Sequence, residues 1–300
     1  MSLPAAYVGV ILIWSTTPLA IQWSAQGASF SFAVMARMLI GLAICLMLLR
    51  ATRTAFPFTQ PARQLYAISG LTLFVSMLLT YWGALHIPSG LISVIYGMSP
   101  LLTGVFAALW LSERTLTPIR LAGLGLAVAG LWILFGQPWP GDGHATFGTL
   151  AVVAGMVVQA LGLVWIKRLN LRISSLAITT GSLGVAVPCF VLAWVIADSA
   201  QLPPDMPLRA SAAIVYLGVL GSVVGFTLYY HLIKHLDAGR IALITLVTPV
   251  AALLVGQTLN AEFIPASGWA GIALIGSGLL LYEWQALRQL SAGVSRLPPN

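Results

Sequence analysis

One stretch of this chain occurs twice. Pro88–Glu113 and Asp237–Glu262 align without a gap at an offset of 149, which sets Gly90 on Gly239, Pro100 on Pro249 and Glu113 on Glu262. After one deletion the match resumes at an offset of 148 and pairs Gly123 with Gly271 and Gly130 with Gly278. Each copy belongs to a series of five apolar runs of about 20 residues, the length that crosses a bilayer as a helix. Five is odd, so the second series enters the bilayer from the opposite side. The expected fold is all-α and integral to the membrane: ten transmembrane helices in two inverted five-helix repeats. Residues 1–140 hold the first repeat and 141–300 the second, together one transmembrane domain.

Composition agrees. Of the 300 residues, 59% are hydrophobic and 7% charged, against about 25% charged in soluble domains. A net charge of +7 invites a nucleic-acid reading, but the cations sit at span ends rather than in one patch, which excludes it. Cys45 and Cys189 fall inside apolar runs and read as inert. No Lys or Arg precedes the first apolar run, so it lacks the charged start of a signal peptide and reads as a retained helix.

The expected spans are 4–23, 30–49, 64–84, 88–111, 117–135, 146–166, 174–197, 210–233, 239–259 and 264–284. Alternating the loops between two sides puts 12 of the 14 cations on one side and Arg209 alone on the other, with Arg37 inside span 2. Cationic loops face the cytoplasm, so both termini are expected there, in a multi-pass protein of the inner membrane.

Among the prolines inside spans, Pro18, Pro100 and Pro249 are the candidate helix breaks. A helical proline removes one donor and frees the carbonyl four residues earlier, here those of Trp14, Tyr96 and Thr245. An unpaired carbonyl in hydrocarbon costs several kcal/mol, so such a break faces protein or a wet cavity. Proline kinks also serve packing alone. The matched placement of Pro100 and Pro249 favours a cavity ringed by spans 1, 4 and 9. Glycines in Gly123-Leu124-Gly125 and Gly276-Ser277-Gly278 give spans 5 and 10 a packing or dimerising role, which leaves a homodimer open.

The residues Tyr81-Trp82-Gly83-Ala84-Leu85, Pro88-Ser89-Gly90, Ser99-Pro100 and Ser112-Glu113-Arg114 are duplicated in part by Tyr230, Ala238-Gly239, Thr248-Pro249 and Glu262. With Trp14-Ser15 and Arg37-Met38-Leu39-Ile40, this pattern resembles the EamA type of the drug/metabolite transporter superfamily over roughly residues 5 to 285. The resemblance implies a ten-helix fold, alternating access and movement of small metabolites, often the export of amino acids or related compounds. It implies a site lined by spans 1, 3, 4, 6, 8 and 9. Span 6 lacks the tryptophan often seen near its middle and offers Gln159 and Trp165 instead. No Asp or Glu lies within a span core, unlike the four-helix multidrug exporters with their buried glutamate.

Candidate substrate-binding residues are Trp14, Ser15, Tyr96, Gln159 and Thr245. For Gln159 a hydrogen bond between helices is the competing role. Tyr81 and Tyr230, matched at an offset of 149, read either as members of the aromatic belts or as a gate at each end. Arg37 is the one charge deep in a span, where insertion costs roughly 2.5–3.5 kcal/mol at the bilayer centre. It either snorkels to the surface or serves as counter-charge to a substrate carboxylate. His231 and His235 share a helix face without further ligands, so no metal is expected, and no cofactor. Glu113 and Glu262 read as caps or loop hydrogen-bonding groups.

The function expected is a secondary transporter that exports amino acids or related small metabolites to one side of the bilayer by alternating access. Drug or lipid-linked-metabolite efflux is the alternative. An intramembrane enzyme would need a nucleophile–base pair or a metal site at depth, and none is visible. A channel would show a continuous polar stripe or charged ring. Coupling is expected to be exchange, or weak proton coupling through tyrosine or histidine.

Overall fold

In the hydrocarbon layer a backbone finds no water, so it satisfies its own hydrogen bonds within helices. A computed structural model describes residues 2–111, 116–135, 144–236, 238–284 and 287–288. Its helices are α1 (Leu3–Ser24), α2 (Phe30–Ala51), α3 (Gln60–Gly83), α4 (Ser89–Gly97), α5 (Ser99–Trp110), α6 (Pro118–Phe135), α7 (Ala145–Leu169), α8 (Ser175–Asp198), α9 (Leu208–Tyr216), a π-helical segment (Leu217–Val224), α10 (Gly225–His235), α11 (Ala238–Asn260) and α12 (Ala266–Tyr282). Among the described residues, nine helices or continuous helix runs are long and apolar enough to cross a membrane, and α12 is a shorter apolar helix. Large apolar side chains such as Trp132, Ile196 and Leu208 stay exposed on the outside of the bundle, as a lipid-facing surface requires.

Local chemistry fixes the ends. The Ser29 and Ser174 hydroxyls accept from the backbone N–H of Phe32 and Ala177 and cap α2 and α8. Asn170 closes α7 in the left-handed conformation. Between α1 and α2 the chain turns at Gly27, with φ +77. A side chain there would also run into Pro207.

The packing pairs α3 with α7 and α8, α2 with α8 and the π segment, α1 with α10 and α11, α4 with α11, α5 with α7, and α6 with α12. The α6–α12 contact is backbone against backbone. A Cβ on Gly123 would lie 2.6 Å from the Gly278 carbonyl oxygen, and one on Gly271 2.8 Å from that of Gly130. The sequence match pairs Gly123 with Gly271 and Gly130 with Gly278. Exchanging the two copies therefore turns one of these contacts into the other. Gly125 and Gly276 point into open space, so only half of each glycine group serves this contact.

Most span limits differ from expectation by a few residues. The helix breaks differ more. Pro100 ends α4 at Gly97 and takes the first turn of α5, where a missing N–H costs nothing. Its partner Pro249 stays inside a continuous α11, and Pro18 inside a continuous α1. The second half breaks regularity elsewhere, in the π segment.

Gly123→Leu is expected to cost about 1–3 kcal/mol through overpacking. Gly125→Ala is expected to be neutral or stabilising by up to about 1 kcal/mol. Thermal unfolding of the two variants in detergent checks both.

Candidate functional site

The break at Pro100 lies beside a cavity of about 420 Å³. Its walls are Pro100, Tyr229, Leu236, Ile241, Ala242, Thr245 and Glu283. It opens toward the end of the bundle where α10 finishes and α11 begins. Two expected residues, Pro100 and Thr245, line it directly. The Thr245 hydroxyl donates to the Ala242 carbonyl at 2.8 Å. Glu283, one residue past α12, supplies a carboxylate that no span core offered.

A hydroxyl relay sits deeper, on α3, α4 and α7. The Tyr96 hydroxyl lies 2.6 Å from Thr80 Oγ1 and 3.0 Å from Ser76 Oγ. Ser76 in turn donates to Gln159 Oε1 at 3.3 Å. Gly155 of α7 leaves room for this group, since a Cβ there would stand 3.0 Å from Thr80 Oγ1 and 3.4 Å from the Tyr96 hydroxyl. Tyr96 and Gln159 are thus brought together, through two hydroxyls that sequence reasoning passed over.

Trp14 stacks at a tilt on Tyr229, ring centroids 4.6 Å apart, and so stands directly behind the cavity wall. Ser15 is placed elsewhere: it is buried, is not on the cavity wall, and its hydroxyl has no hydrogen-bond partner among the described residues. Arg37 does not snorkel. It is 6% exposed and reaches across the bundle, Nε donating to Ser222 Oγ at 3.3 Å and a terminal nitrogen to the Tyr81 hydroxyl at 3.4 Å. Tyr81 is fully buried, which removes it from any aromatic belt. Tyr230 lies on α10, with its side chain outside the described residues, as are all of Glu113 and Arg114. His231 and His235 stack on each other, and His235 Nδ1 meets the His231 carbonyl within the same helix.

The opposite end is tied by a polar network. Gln22 Nε2 donates to the Ala84 and Ile87 carbonyls at 3.1 and 2.7 Å. Asn260 Nδ2 donates to Gln22 Oε1 at 3.2 Å and to Glu262 Oε1 at 3.0 Å, while Asn260 Oδ1 accepts from Trp23 Nε1 at 3.1 Å. The Gly90 N–H donates to Glu262 Oε2 at 3.3 Å. Arg209 covers the Trp23 ring at 3.7 Å from its centroid, a cation–π distance. Glu262 therefore bonds across the two halves of the chain, its carboxylate accepting from a first-turn N–H of α4 as an expected cap would.

Sequence reasoning missed Ser76, Thr80, Ser222, Gln22, Asn260 and Tyr229. For one pair a signal existed. Thr80 and Tyr229 are matched at an offset of 149; one bonds Tyr96 and the other lines the cavity. The others resemble ordinary polar residues in a span, and nothing in their spacing marks them.

Asn260→Ala removes three hydrogen bonds worth about 0.5–1.5 kcal/mol each. The tied end is expected to open more often by at least about tenfold, the factor that 1.4 kcal/mol supplies. The labelling rate of Ala84→Cys by a membrane-impermeant thiol reagent, with Cys45 and Cys189 removed, measures it.

Comparison with known proteins agrees with this architecture. The pattern of the EamA-like transporter family matches residues 5–136 and 146–284. The chain is 26% identical to the uncharacterized transporter YvbV of Bacillus subtilis, over 95% of this chain and 92% of that one. It is 29% identical to a probable terminal-alkyne amino-acid exporter of Streptantibioticus cattleyicolor, over 76% of this chain and 74% of the relative. A probable amino-acid metabolite efflux pump of Escherichia coli is 24% identical over 71% of this chain and 74% of its own. A solved crystal structure with 21% identity superposes with a TM-score of 0.66 over 96% of this chain and 98% of the other. With matches over both halves and nearly its whole length, the chain is a multi-pass membrane protein of the EamA-like transporter family.

Proposed function

We propose that the protein is a secondary carrier of the inner membrane that exports amino acids or related small metabolites by alternating access. The observation that carries this reading is the asymmetry of the two ends. One end opens into a cavity at the Pro100 break, while the other is tied by Gln22, Asn260 and Glu262. A solute site open to one side at a time is the requirement of a carrier.

Two inverted five-helix repeats would supply the second state. The packing supports this, because exchanging the halves maps the contacts onto one another. The α3–α8 contact becomes the contact of the π-containing run with α2, and α6–α12 becomes itself. The bias of cations toward one side places both termini, and the open cavity, in the cytoplasm. Substrate then enters from the cell interior, which fits export.

The cavity suits an amphipathic solute. Tyr229, Leu236 and Ile241 offer apolar surface, and Thr245, Glu283 and the Tyr96 relay behind them offer polar contacts. Two relatives whose names specify amino-acid compounds support the same class. In this reading Trp14, Tyr96, Gln159 and Thr245 face the transport path. Ser15 joins them only in the opposite state.

In proteoliposomes the protein is expected to give saturable amino-acid efflux with counterflow. Tyr96→Phe is expected to slow it about tenfold while costing about 1 kcal/mol or less in stability, since Thr80 keeps its bond to the Ser76 carbonyl. Movement of lipid-linked sugars with no amino-acid flux would overturn the substrate assignment. Flux linear in concentration, without counterflow, would overturn the carrier.

A further inference from the structure

Arg37 carries a charge that cannot be discharged, because a guanidinium does not lose its proton in proteins. It lies about 10 Å from the nearer end of α2, seven residues at 1.5 Å each. It is 6% exposed. Among the described residues its hydrogen-bond partners are two hydroxyls, Ser222 and Tyr81, both at long range, and no carboxylate. Buried charges in membrane helices ordinarily pair with an opposite charge. Here no carboxylate among the described residues stands against the cation.

The surroundings are built around this group. Ser222 sits on the π-helical segment, and its hydroxyl donates to the Leu217 carbonyl five residues back at 3.0 Å. Interruptions of this kind concentrate at functional sites. Gly218 of the same segment lets α2 approach closely: a Cβ there would lie 2.7 Å from Ile40 Cγ2 and 3.2 Å from the Arg37 carbonyl oxygen. Gly221 leaves space beside the guanidinium. A Cβ on it would stand 3.6 Å from an Arg37 terminal nitrogen and 3.7 Å from Thr17 Oγ1.

Trp14 is one helical turn from Thr17 on α1, and Tyr229 is two turns from Gly221 on the run that leads into α10. Tyr229 lines the open cavity and stacks on Trp14, so this ring pair sits on the same two helix runs that carry Thr17 and Gly221.

The geometry points to Arg37, with Ser222, Tyr81 and the gap at Gly221, as the subsite that binds the carboxylate of the transported solute. This rests on the carrier reading and deepens it: the substrate class is a small metabolite with one carboxylate. The solute passes the Trp14–Tyr229 pair and sets its carboxylate on the guanidinium, supplying the missing charge. A single arginine with two neutral hydroxyls fits one negative charge and leaves a polyanion unneutralised.

The test is efflux from proteoliposomes loaded with radiolabelled amino acids or with the matching amino-acid amides, which lack the carboxylate. The wild type is expected to favour the acids at least tenfold. Arg37→Gln is expected to reduce this preference to below twofold while still moving amides. Gly221→Ala, which meets its neighbours only at van der Waals distances, is expected to raise KM for acids at least threefold with no fall in Tm. A folded Arg37→Gln with the wild-type preference would overturn the subsite. So would equal transport of acids and amides by the wild type, which leaves the carrier standing. If Arg37→Gln does not fold, Gly221→Ala decides, and an unchanged KM overturns the subsite. Saturable flux of neither class would instead overturn the carrier itself.

Discussion

A hydrocarbon layer offers no partner to a polar group, so each departure from regular helix in this protein must be answered by the protein itself or by a wet space. That constraint organises the molecule. The proline at position 100 becomes the start of a new helix, and the cavity lies beside it. The π segment frees Ser222 to bond backward to Leu217 and to face Arg37. Glycines make backbone contact where α6 meets α12. Three groups of polar side chains bear on the transport path and its closed end: the relay around Tyr96, the group around Arg37 and the tie around Asn260.

These three groups differ in strength in a way that suits a moving structure. The tie at Asn260 joins α1, α4, α11 and the segment beyond α11 through six hydrogen bonds and one cation–π contact. Each is of the order of 1 kcal/mol, so together they can hold one end closed without locking it permanently. At the cavity end the Tyr7 hydroxyl of α1 donates to the Arg240 carbonyl of α11 at 2.9 Å. A solute that satisfies buried polar groups better in one arrangement than in the other shifts the balance between them.

Much of the fold was legible in the sequence because the membrane imposes length and composition directly. Span positions and the break at Pro100 follow from apolar runs and a proline. The cavity was legible in part, through Pro100 and Thr245. Three things were not. Pro249 matches Pro100 in sequence, yet α11 stays continuous, because whether a proline breaks or merely bends a helix depends on its neighbours. The π segment has no proline and no distinctive composition. Arg37 read equally well as a snorkelling residue, since only three dimensions show that its side chain turns inward to Ser222 and Tyr81. Ser76 and Thr80 were invisible for a related reason: hydroxyls in helices usually bond to the carbonyl one turn back, and their second bonds, to Tyr96 and Gln159, cross between helices.

The central claim is that the two ends open in opposition around one solute site. Spin-label distances at both ends test it most directly, with one pair at Gln26 and Ala261 beside the tied end and another at Leu109 and His235 beside the cavity. On addition of a transported amino acid, the first distance is expected to lengthen in a second population while the second shortens in the same proportion. Saturable transport with both distances fixed, or with both ends widening together, would contradict the account.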